Sequence, residues 1–61
     1  EAKGVRSGDN FMLQGAEGAV VYNASGAVVG TTTTSNFNAS DLASGMYIIR
    51  MNNGKAVKVV K

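Results

Sequence analysis

The sequence predicts an all-β fold, a small antiparallel β-sandwich of five to seven short strands. Three observations lead there. Val, Thr, Ile, Tyr and Phe are plentiful, and these side chains suit a pleated, half-buried surface. Eight glycines cut the chain into short runs at fairly even intervals. No window carries apolar residues at helical spacing for three turns, so nothing competes with strands. Proline is absent, which leaves the turns to Gly, Asn and Ser.

The elements follow in order. Glu1 to Ser7 reads as an extra strand or a frayed end. Phe11 to Gln14 is a strand bounded by Gly8-Asp9-Asn10 and Gly15. Ala19 to Asn23 is the next, with Val20 and Tyr22 on one face and Ala19, Val21 and Asn23 on the other. Asn23-Ala24-Ser25-Gly26 is turn chemistry, and Ala27 to Gly30 returns to complete a hairpin. Thr31 to Thr34 reads as an edge strand or an extended connection, with Phe37 anchoring it to the core. Ser40 to Gly45 reads as one irregular or 3₁₀ turn, capped by Ser40 or Asp41 and left through a positive φ at Gly45. Met46 to Met51 is the clearest strand, with Tyr47, Ile49 and Met51 inward and Arg50 outward. Asn53-Gly54 signals a type I′ hairpin turn. Lys55 to Lys61 is the partner strand, with Val57 and Val59 inward and Lys58 outward.

Length allows a single domain, residues 1–61. A chain this short buries only about 60% of the surface it exposes when unfolded. Ordering its backbone costs on the order of 1–2 kcal/mol per residue, so stability is marginal. The sequence begins at Glu1 and shows no export signal, which reads as a piece cut from a longer protein.

Composition removes most chemistry. Without histidine or cysteine there is no Ser-His-Asp triad, no cysteine nucleophile and no ordinary zinc site. The four acids, Glu1, Asp9, Glu17 and Asp41, are too dispersed to read as a catalytic pair. Asp9, Asn10 and Glu17 match no ordered calcium loop and read as turn residues. Asn23-Ala24-Ser25 and Asn38-Ala39-Ser40 match N-x-S/T, and both read as turns. The expectation is therefore a non-enzyme with no catalytic, cofactor-binding or metal-binding residues. A net charge of +2 on scattered Lys and Arg is no nucleic-acid footprint. The apolar runs fall far short of the ~20 residues a membrane helix needs. Phe11, Tyr22, Phe37 and Tyr47 sit in or beside apolar strands and read as core.

Three segments, in order, carry a family resemblance. They are Val21-Tyr22-Asn23-Ala24-Ser25-Gly26-Ala27-Val28-Val29, Asp41-Leu42-Ala43-Ser44-Gly45-Met46-Tyr47-Ile48-Ile49-Arg50, and Lys58-Val59-Val60-Lys61. The set resembles the type A C-terminal sorting domains of the type IX secretion system, over roughly Gly18 to Lys61. Residues 1–17 depart from the pattern, since no proline-bearing opening strand is present.

The resemblance implies an immunoglobulin-like β-sandwich at the C-terminus of a protein exported by Bacteroidota. It implies passage through periplasm and outer membrane, recognition by the translocon, and removal by a cell-surface sortase. The implied partners are the shuttle protein PorV and the sortase PorU. Gly45, Tyr47, Lys55, Lys58, Val59, Val60 and Lys61 are the expected recognition residues, with the three lysines pointing outward from the last hairpin. Unprotected edges also allow a homodimer. The competing expectation is a non-catalytic spacer or adhesive module of a bacterial surface protein.

Overall fold

A computed structural model describes residues 3–61, in seven strands. These are β1 (Lys3–Ser7), β2 (Asn10–Gln14), β3 (Ala19–Asn23), β4 (Val28–Thr32), β5 (Asn36–Asn38), β6 (Met46–Met51) and β7 (Ala56–Val60). The expectation for Glu1 to Ser7 is met by a strand from Lys3, and residues 1–2 lie outside the described residues.

Two antiparallel sheets form, in the orders β1-β2-β5 and β4-β3-β6-β7. Facing sheets are what single-faced strands require, because each must bury one side. Relative to the constant-type immunoglobulin arrangement, the fourth strand lies beside the third instead of beside the fifth.

The core follows from period-2 alternation. Phe11, Leu13, Phe37 and Ala39 face inward from one sheet and its continuation. Ala19, Val21, Tyr47, Ile49, Met51 and Val59 face them from the other. Phe11 and Phe37 are direct cross-strand partners, with ring centroids 6.0 Å apart. The Phe11 ring also reaches Tyr47 across the sandwich, at 5.9 Å. Tyr22 departs from the expected core. Val21 takes the inward position, so the next residue along the pleat is half-exposed on the outer face.

Two hairpins share one turn. Gly26 donates to the Asn23 carbonyl and Asn23 to that of Ala27; Gly54 donates to Met51 and Met51 to Lys55. Each is a three-residue loop closed by a left-handed glycine, with φ of 88° at Gly26 and 90° at Gly54. The Asn53-Gly54 hairpin is thus present, but its turn is not type I′, since Asn53 keeps negative φ. The longer loop requires only one left-handed residue, and Asn53 Oδ1 instead accepts the Lys55 amide.

The threonine run divides. Thr31 and Thr32 complete β4, whereas 33–35 bend across to the other sheet. The Thr32 and Thr34 hydroxyls both donate to the Asn36 carbonyl and fix that bend. The Ser40 to Gly45 segment is irregular and opens on a single i→i+3 turn, in which the Leu42 amide donates to the Ala39 carbonyl at 3.0 Å. Asn38 supplies its cap, its Oδ1 accepting the Ser40 amide, in place of Ser40 or Asp41.

Candidate functional site

The three motif-bearing segments converge at one end of the sandwich. Gly45 and Lys61 exchange both backbone hydrogen bonds, at 3.0 and 2.8 Å, and so extend the β6–β7 ladder past Met46↔Val60. Gly45 has φ of 154°, on the positive side that side chains disfavour. A Cβ there would meet nothing within 4 Å, so the backbone alone calls for glycine.

The Lys61 side chain turns inward. Its Nζ donates to the carbonyls of Ala39 and Leu42, each at 2.6 Å. This corrects the expected outward Lys61. The carbonyls of this irregular segment lie outside the strand ladders; that of Ala39 already accepts the Leu42 amide, and the neighbouring ammonium adds a second donor to it and supplies one to Leu42. Tyr47 supplies a third, its hydroxyl donating to the Ala43 carbonyl at 2.6 Å. The Tyr47 ring is buried beneath that segment, directly opposite Val59. Leu42 packs against the core, and the Ala39 amide donates to Asp9 in the β1–β2 turn. Residues 39–45 are therefore held by both sheets and by the last residue of the sequence.

Of the expected recognition residues, Gly45, Tyr47, Val59, Val60 and Lys61 gather at this end. Val59 is buried and Val60 is 62% exposed, as alternation along β7 requires. Lys58 points outward on the sheet's outer face, across from Ile48. Lys55 is exposed at the opposite end of the hairpin, directly after Gly54. The carbonyls of Ala39, Leu42 and Ala43 were not legible as sites, because their role is set by which distant side chains arrive.

Among the described residues no cluster of three or more acids could hold a metal ion. No polar side chain is buried among them. Two depressions on the surface are open; one runs between Glu17–Val20, Thr31–Thr33 and Arg50–Asn52. The arrangement offers edges and faces for another protein to contact.

The family model described as a secretion system C-terminal sorting domain matches residues 8–61. The match begins ahead of Gly18 and so takes in β2. This is a family of type IX sorting signals and not of catalytic domains. No curated protein and no solved structure matches the chain.

Proposed function

The chain belongs to the type IX secretion C-terminal sorting domains, a membership that implies export to the surface or beyond, and we propose that it carries cargo through the outer membrane. In this reading the cargo enters the periplasm, the translocon engages the folded sandwich, and a cell-surface sortase then cuts the domain away. PorV as shuttle and PorU as sortase are the proposed partners. The observation that supports it best is the tie between Gly45 and Lys61, which joins two motif segments into one surface.

The recognition residues divide by role. Gly45, Tyr47, Val59 and Lys61 shape the end of the sandwich from within. Val60, Lys58 and Lys55 are exposed on the last hairpin, where another chain can meet them. β7 is an edge strand of its sheet, so its outer backbone groups suit pairing with an added strand.

The test fuses residues 1–61 to the C-terminus of an exported reporter in a host with this secretion system. Removing Asn53 to Lys61 should leave the reporter in the periplasm. Surface delivery that survives the removal would refute the proposal.

A further inference from the structure

The outer face of the four-stranded sheet is a second surface, which meets the β7 edge at Lys58 and Val60. Cross-strand pairing aligns Val28, Tyr22, Ile48 and Lys58 in one row. The adjacent row sets Thr31, Val20, Arg50 and Ala56 side by side. Met46 and Val60 pair at the end of the sheet nearest Gly45. Val28, Met46 and Val60 are 59%, 36% and 62% exposed, and Val20, Tyr22 and Ile48 are half-exposed. A continuous apolar strip therefore crosses the sheet. Apolar patches rimmed by polar residues mark contact surfaces.

The charged side chains of these four strands have one sign, and Glu17 borders the face, lining the same depression as Val20, Thr31 and Arg50. Arg50 and Lys58 are exposed diagonal neighbours on β6 and β7, roughly 7–8 Å apart by sheet geometry. None of the residues in β3, β4, β6 or β7 is acidic. A second copy stacked face to face would set four cations against only the two bordering Glu17 carboxylates, and the excess of like charge opposes it.

We infer that this face docks a protein partner presenting an apolar strip bordered by carboxylates, which sit against Arg50 and Lys58. The inference rests on the sorting role and names the chemistry of the partner that role requires. It assigns recognition to Val20, Tyr22, Val28, Ile48 and Arg50 as well as to the last hairpin.

Surface delivery of the reporter fusion tests it, with urea unfolding as a control for folding. R50E/K58E should cut delivery about tenfold or more, because like charges across an interface cost several kcal/mol. R50K/K58R should recover most of that loss, and V28S/V60S should lower delivery without reversing any charge. All these positions are exposed, so stability should stay near that of the parent. Parental delivery by R50E/K58E, when loss of Asn53 to Lys61 still abolishes it, overturns the inference and leaves the sorting role standing. Delivery without the domain overturns the sorting role itself. Sedimentation of the isolated chain should show a monomer; a dimer dissolved by V28S/V60S would make a second copy the occupant and overturn the inference.

Discussion

Replacing Lys61 by methionine removes the ammonium and keeps most of the stem. Two hydrogen bonds at 2.6 Å are lost, to the carbonyls of Ala39 and Leu42. A hydrogen bond from a charged donor contributes about 1.5–3 kcal/mol in a sheltered site. Lys61 is only half-buried, so water screens the charge and replaces part of the loss. The expected net cost for both bonds is about 2 kcal/mol. In a domain of this size that lowers Tm by roughly 8–16 °C. Urea unfolding measures it directly: the midpoint should fall at constant slope, because the surface exposed on unfolding is unchanged. Arginine should restore part of the stability by offering donors from the same position. A methionine variant within about 0.5 kcal/mol of the parent, the range of ordinary surface changes, would show that the ammonium does not clasp the loop.

Three further substitutions probe the same end and the core behind it. Tyr47→Phe keeps the ring against Phe11 but loses the bond to Ala43, so chemical denaturation should show a cost of about 1 kcal/mol; no change would mean the hydroxyl is equally served by water. Gly30→Ala places a Cβ 2.6 Å from the Phe37 ring, which is itself packed on Phe11, and should cost about 1–3 kcal/mol by overpacking. A Gly30→Ala protein as stable as the parent would show that the ring can move aside. A Cβ at Gly45 meets no neighbour within 4 Å, so the expected cost of Gly45→Val, about 1–3 kcal/mol, comes chiefly from backbone strain. Unchanged thermal stability in that variant would exclude a positive φ.

Local patterns were legible because alternation and turn chemistry are local. Val21, Tyr47, Ile49 and Met51 fall inward by a two-residue period, and Gly26 and Gly54 mark their turns. The turn type after Met51 was not legible, because Asn53-Gly54 fits both a two-residue and a three-residue loop. The choice is made by the Arg50↔Ala56 register and by Asn52, whose side chain donates to the Glu17 carbonyl. The break in the threonine run depends on hydroxyl bonds to Asn36 that identical neighbours conceal. Lys61 looked like any terminal strand lysine. Its inward turn depends on carbonyls some twenty residues earlier, at Ala39 and Leu42. Gly30 shows the same limit, since only the arrival of the Phe37 ring gives its missing side chain a purpose.

For the candidate site, the ordered motifs identified which segments matter, and the fold explains why they occur together. Gly45 leads into β6, Tyr47 supports the loop from below, and Lys61 closes it from just past the end of β7. The motif residues therefore form a structural tie as well as a surface. Substitutions at Gly45, Tyr47 and Lys61 should impair sorting through folding, whereas those at Arg50, Lys58 and Val60 should impair it with folding intact.

The most direct test of the sorting role is sufficiency. A reporter that normally stays in the periplasm is given residues 1–61 at its C-terminus and expressed in paired strains with and without a working type IX system. Surface or medium delivery in the first strain and periplasmic retention in the second is the predicted result. Equal retention in both strains would contradict a sorting role for this sandwich.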